Sequence, residues 1–315
     1  MMGTFVDVVL QAGRSAIELA LYTLMPIMVV TMVVLRLLEV HGILDRLVAW
    51  CAPVARPFGL TGLAVLAMLQ ISFVSFVAPL PTLTLMEDQG TSDRHLAAAL
   101  AAVLAMAPAN ATFPLAARGL LPGVTLAFSA LGGLVAAAAT YWLSGRHLSG
   151  ALVAASFYER VAATKPSFLR TINLGGAEAI QIVVNIVPTL LLSLAVVFGL
   201  ERAGVVGELT RLLAPVLAAL GVDPGFVLPT LTKYLAGSTA LLGVVDGLAR
   251  EGRFGAAMVN EGAGFLLHPL DLPGVAILIS AGPRLGRTLL PAVGGAVLGI
   301  ALRTVGGVAF AAWMR

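Results

Sequence analysis

The stretch Leu231–Gly243, LTKYLAGSTALLG, places a lysine, a tyrosine and a Gly-Ser-Thr run inside an otherwise apolar segment. Its surroundings avoid charge. The 315 residues are 59% hydrophobic and 11% charged, and the mean hydropathy is +0.99. That much apolar surface exceeds what a soluble core can use, so the chain reads as an integral membrane protein. Windows such as 17–38 and 126–143 approach the roughly 20 apolar residues a helix needs to cross hydrocarbon. Strand alternation is missing, which favours helices over a barrel.

Cys51 is the single cysteine, so no internal disulfide or thiolate cage can form. The net charge of +3 is spread singly between apolar segments, a pattern that sets topology and does not suit nucleic acid. Arg14 precedes a long apolar run without a small-residue cleavage site, so the first helix is expected to be retained.

Working outward from the opening stretch, the sequence aligns with itself at an offset of 162 without a gap. Gly13 falls on Gly175, Pro26 on Pro188, LEVHG (38–42) on LERAG (200–204), Ala52-Pro53-Val54 on Ala214-Pro215-Val216, and Gly132-Gly133 on Gly294-Gly295. Six glycine pairs coincide over 121 positions, where 34 glycines in 315 residues give about one or two by chance. The chain therefore reads as two copies of one unit, 1–143 and 173–315, joined by a polar linker, 144–172. LTKYLAGSTALLG has its counterpart in LQISFVSFVAPLP (69–81).

Each copy reads as a long apolar helix (17–38; 179–200), then a short amphipathic segment suited to the membrane interface (43–57; 205–219), with Leu44, Leu47 and Val48 inward and Asp45 and Arg46 outward. A second long apolar stretch follows (62–84; 225–248). After a charged turn come Pro-interrupted segments, MAPANATFPL (106–115) and LLHPLDLPG (266–274), and a last apolar helix (119–143; 285–310). Proline removes a helix hydrogen bond, so these segments are expected to be discontinuous or re-entrant. Ser129–Gly133 and Gly295–Gly299 have the small-xxx-small spacing of tight helix contacts.

The turn 86–95 is acidic and 249–254 basic, and the linker carries Arg146, Arg160, Lys165 and Arg170 against Glu159. The positive-inside rule then places 86–95 outside and 249–254 and the linker in the cytoplasm. These placements agree if the first, second long and last segments of each copy cross while the Pro-interrupted segment enters and leaves on one side. The expected fold is an all-α integral membrane protein of two inverted-topology repeats, each with long spanning helices, an interfacial amphipathic helix and a Pro-broken or re-entrant segment, the arrangement used by secondary transporters.

Charge inside a membrane segment is costly and points to function. Lys233, followed by Gly237, Ser238 and Thr239, lies deep in its segment and is expected to meet either a solute or the acid of Glu261 or Asp271. Tyr234 accompanies it. On the other copy Gln70, Ser72, Ser75 and Asn110 are the facing polar groups. His268 either relays protons or bonds backbone freed by Pro269, and Asp246 is expected near the interface. Glu178 and Asn185 add polar groups to the first long helix of the second copy. Ser238, His268 and Asp271 contain the residue types of a hydrolase triad but not the spacing of a nucleophile elbow, and no metalloprotease, phosphate-loop or dinucleotide motif occurs, so no enzyme, metal or cofactor is expected.

The run 175–243 resembles the Gate, or nucleoside-recognition, domain, most closely the form found in spore maturation protein B, through Ile186-Val187-Pro188, Gly204–Leu209, Leu213–Pro224 and Leu235–Gly243. MPIMVV, HGILDRLVAWCAPVARPFGL and VSFVAPLPTL make the first copy look like a more diverged Gate unit. The resemblance implies a multi-pass inner-membrane protein with a transport-like core. The glutamine-threonine-glutamate run of concentrative nucleoside carriers is missing, and one cysteine fits a thiol-lined iron path poorly.

The sequence thus leads to a secondary transporter or permease for a nucleoside or another small polar or anionic solute, coupled to protons or sodium. Its partners would be the bilayer, the solute, the coupling ion and copies of itself. The alternative is a non-transporting membrane protein with a spore-maturation-like or scaffolding role.

Overall fold

Helix is the only regular structure among the described residues of the computed structural model, which are 2–151, 167–219 and 221–313. Some helical side chains within these ranges, including those of Leu44, Asp45, Glu178 and Asn185, are outside the described set, as are the linker's Glu159, Arg160 and Lys165.

The chain opens with α1 (Met2–Ile17), which passes through a wide π-helical turn (Glu18–Leu24) into α2 (Met25–Val40). The short α3 (Ile43–Ala55) follows, then α4 (Gly62–Phe73), α5 (Leu80–Asp88), α6 (Asp93–Ala105), α7 (Ala109–Ala116) and α8 (Pro122–Ala139), the last prolonged to Ser144. After the linker come α9 (Phe168–Arg202), α10 (Val205–Ala219), α11 (Val227–Arg250), α12 (Ala256–Leu266), α13 (Leu272–Ile279) and α14 (Pro283–Trp313). Left-handed glycines close matching turns: Gly42 and Gly204, Gly59 and Gly221, Gly90 and Gly252. Each pair keeps the offset of 162 read from the sequence.

α4 and α5 make a hairpin. Thr61 caps α4 by accepting the Ala64 N–H at 3.2 Å, and the chain leaves helical geometry at Val74–Pro79. A straight helix from 62 to 88 would separate its ends by roughly 40 Å. The residues flanking the stretch instead meet at Tyr141. A side chain at Gly59 would fall on that ring, and the Arg94 guanidinium lies 4.3 Å over it. Thr82 Oγ1 donates to Gln70 Oε1 at 2.8 Å and ties the two arms together.

α11 does the same from the other end of the molecule. Its 24 residues would span roughly 36 Å if straight, yet Phe226 before it and Phe254 after it stack edge to face with centroids 5.3 Å apart. The reversal is at Gly237, where φ is 85° and ψ 176°, a region open essentially to glycine alone.

The Pro-interrupted segments, in contrast, cross. α6 starts beside Tyr141, near the far end of α8, where Arg94 Nε donates to the Tyr141 carbonyl at 2.6 Å. Ala107 N donates to Ser129 Oγ at 2.7 Å part-way along α8, and α7 runs on to the turn that begins α8. Residues Asp93–Ala116 are long and apolar enough to span, and 94% of their most apolar window is buried, so this crossing is the centre of the molecule. Its alanine-rich sequence suits close packing on every side. Pro122–Ser144 and Pro283–Trp313 also qualify as spans.

α12 begins at the other end of α8, where Asn260 Nδ2 donates to Gly119 O at 2.8 Å. α13 ends near α5, where Thr84 Oγ1 donates to Ala281 O at 2.8 Å. α12–α13 therefore crosses in the direction opposite to α6–α7. α14 starts where α5 ends: the Glu87 carboxylate accepts the N–H groups of Arg284 at 3.1 Å and Leu285 at 3.2 Å, and α14 runs antiparallel to α8. α9 is likewise antiparallel to α1–α2, because Gly175 lies against Met32 and Val33 while Gly13 faces Leu191.

Two expectations are corrected. The stretches 62–84 and 225–248 do not cross, and 106–115 and 266–274 do, because residues 74–79 and Gly237 turn the chain back while the proline breaks only offset it. In addition, Arg94 N donates to Ser149 O at 3.2 Å, so the start of the linker shares one end of the molecule with the turn 86–95. Two crossings, α6–α7 and α8, separate them, which returns the chain to the same side. The turn 249–254 lies at the opposite end.

α3 meets α4 at a 109° bend, which rules out one straight span through both. Val48 packs inward on α4 and Arg46 is exposed, as expected of an interfacial helix, but Leu47 lies on the outer face with Trp50 and Val54.

Candidate functional site

The kink of α11 presents Lys233 to the break between α12 and α13. Lys233 is 0% exposed. Its ammonium pairs with Asp271 Oδ2, while Asp271 Oδ1 accepts the Gly274 N–H at 2.7 Å and so caps α13. Pro269 and Pro273 flank the capping turn, which needs glycine at 274 because a side chain there would fall on Pro269 O. Of the two acids anticipated for Lys233, the partner is Asp271. Glu261 is half-buried on α12.

His268 is fully buried. Leu270 N donates to its Nδ1 at 3.1 Å, so the proton sits on Nε2, which donates to Phe265 O at 3.0 Å. Tyr234 OH lies 3.4 Å from Nε2 and 3.4 Å from Phe265 O. The histidine therefore stitches together the backbone left open before Pro269.

The first hairpin has a parallel arrangement. Asn110, in the first turn of α7, accepts the Phe76 N–H at 3.2 Å, so a polar side chain where a broken helix restarts again reaches the hairpin break. Ser72, Ser75 and Ser238 are buried and Thr239 half-buried. Both hairpins pack on α7. No hydrogen bond among the described residues joins Lys233, Ser238 or Thr239 to Gln70, Ser72 or Ser75.

Sequence reasoning missed Arg303. It is 2% exposed and donates to Ala105 O at the end of α6, to Leu267 O at 2.9 Å and to Ala263 O at 3.3 Å at the end of α12. Its signal was a lone arginine about two-thirds along an apolar helix. Asp246 lies near the end of α11, as expected, between Arg118 and Arg250, the latter at 2.8 Å. Arg250 also reaches Glu18 at 3.2 Å. Asp246, Arg250 and Glu18 line an open groove with Gln11, Ser15 and Glu201. An apolar cleft lies between α9, α10 and the first arm of α11. No cluster of three or more His, Cys, Asp or Glu suited to a metal occurs among the described residues.

The model of the Gate family, described as nucleoside recognition, matches residues 21–122. Those residues are the Gate-like part of the chain. The match covers α2 to the start of α8, the copy whose sequence resemblance is the looser of the two. No curated protein matches the chain. Among solved structures, the chain is similar to the nucleoside transporter CNTnw N149S, F366A in an outward-facing state, with a TM-score of 0.68 and 13% identity over 97% of this chain and 84% of that one. CNTnw in an inward-facing substrate-bound state gives a TM-score of 0.66 and 14% identity over 97% and 83%. At that identity the likeness is one of fold. Together with the apolar helices, it supports a multi-pass membrane protein with the fold of a nucleoside transporter.

Proposed function

We propose that the protein is a secondary transporter of the inner membrane, built from two inverted Gate-like copies (1–143 and 173–315), that moves a small polar solute such as a nucleoside. The observation that carries this reading is the pair of hairpins entering from opposite ends, each with its break held by the residue that restarts a broken crossing helix: Phe76 by Asn110 and Lys233 by Asp271. Irregular backbone at that depth is tolerated only inside protein or beside a water-filled path, and opposed halves of this kind alternate access around a central site. Solute would bind between the hairpins, with Lys233, Tyr234, Ser238 and Thr239 on one side and Gln70, Ser72, Ser75 and Asn110 on the other. Because Lys233 is already neutralised by Asp271, the site favours an uncharged polar solute over an anion.

Purified protein in liposomes, offered a panel of nucleosides and small polar and anionic solutes, tests this. The wild type should take up at least one solute, and Lys233→Ala should lower uptake at least tenfold while the protein stays folded. If neither binds nor moves any solute, the scaffolding alternative replaces it.

A further inference from the structure

Arg303 sits where two helices end. α6 stops at Ala105 and α12 at Leu266, and carbonyls of both final turns, Ala105, Ala263 and Leu267, converge on its guanidinium. Among the described ion pairs none includes Arg303, and Asp271, the acid in the same core, is taken by Lys233. A helix C-terminus carries roughly half a negative charge, so two of them offset one buried cation. The fit is otherwise incomplete. Arg303 Nε is the one buried side-chain polar atom among the described residues without a partner. The stem of the side chain passes over Gly132, where any side chain would strike its Cγ and Cδ at 2.5 Å.

Carbonyls at the ends of half-helices are the groups that bind coupling cations in broken-helix carriers. We propose that these three carbonyls form an alkali-cation cradle whose occupant in this chain is its own Arg303, so that the cradle takes no free cation in the wild type and becomes a Na⁺ or K⁺ site when the guanidinium is removed. The inference stands on the cradle alone and holds whether or not the protein transports a solute.

The test compares thermal unfolding of detergent-purified wild type, Arg303→Ala and Arg303→Lys in millimolar NaCl, KCl, guanidinium chloride and choline chloride at equal ionic strength. The wild type and Arg303→Lys should unfold at temperatures independent of the salt. Arg303→Ala should unfold several degrees lower in choline and recover saturably in Na⁺ or K⁺ and in guanidinium. Equal loss in all four salts, recovery in guanidinium alone, or wild-type stability in choline would each overturn the proposal, as would a Na⁺ response of the wild type that Arg303→Ala abolishes. Should Arg303→Ala not survive extraction, Arg303→Gln, which keeps a donor but not the charge, carries the same comparison.

Discussion

Asp271 caps α13 with one carboxylate oxygen and takes the Lys233 ammonium on the other, so one side chain joins a kinked hairpin to the restarted half of a crossing helix. Removing one member of a buried pair strands the other charge and costs about 3–5 kcal/mol, whereas replacing both by uncharged groups of similar volume is often close to neutral. Lys233→Met and Asp271→Asn should each lower the unfolding temperature strongly, and the double variant should recover much of the loss. A double-mutant cycle on detergent-solubilised protein measures this. Additive losses would mean that the pair does not act as a unit.

Gly237 turns α11 back on itself. A side chain at its φ of 85° and ψ of 176° is strained by roughly 1–3 kcal/mol, and the nearest atoms belong to Pro273 and Asp271, so the strain is delivered to the Lys233 site. Gly237→Ala should weaken solute binding and lower stability by about that amount. Gly247→Ala, in the same helix with open space where the methyl would lie, should leave both unchanged or gain up to about 1 kcal/mol from helix propensity.

Legibility of the sequence followed the cost of each feature. Lys233 stood out because a charge in hydrocarbon must be paired, and Asp271 was one of the two acids able to pair with it. Coincident glycines revealed the offset because left-handed turns such as those at Gly42 and Gly204 accept few other residues. The path of the chain was not legible. Residues 62–84 have the length and apolarity of a span, and hydropathy does not register that VSFVAPLP reverses direction while MAPANATFPL continues it. Arg303 escaped because its partners are backbone carbonyls, which leave no complementary residue in the sequence.

Sidedness follows from that corrected path. In a Cys51→Ser background, single cysteines at Asp88, Ser149 and Glu251, all exposed positions, can be labelled with an impermeant maleimide in intact and permeabilised cells. Asp88→Cys and Ser149→Cys should share one accessibility, and Glu251→Cys should have the other. Opposite behaviour of Asp88→Cys and Ser149→Cys would refute the assignment of α6–α7 as a crossing, since an odd number of crossings would then lie between them.

The contact between α8 and α14 gives the final prediction. A side chain at Gly299 would fall on the Gly132 carbonyl oxygen and meet Ala136 Cβ at 2.9 Å and Ala105 Cβ at 3.1 Å. One at Gly132 would meet Gly299 O at 2.8 Å as well as the Arg303 stem. The two backbones thus touch at these glycines, the small-xxx-small pattern at work within one chain. The atoms in the way are largely backbone and other small side chains, so the helices must separate to admit a methyl, and overpacking of this kind costs about 1–3 kcal/mol. Gly299→Ala and Gly132→Ala should both lower the unfolding temperature. Gly132→Ala should additionally shift Arg303 and, if the cradle reading holds, confer a Na⁺ response absent from Gly299→Ala. Gly286→Ala, near the start of the same helix with nothing within 4 Å, serves as the control and should be neutral. Equal stability of all three variants would show that α8 and α14 do not meet at these glycines in the membrane.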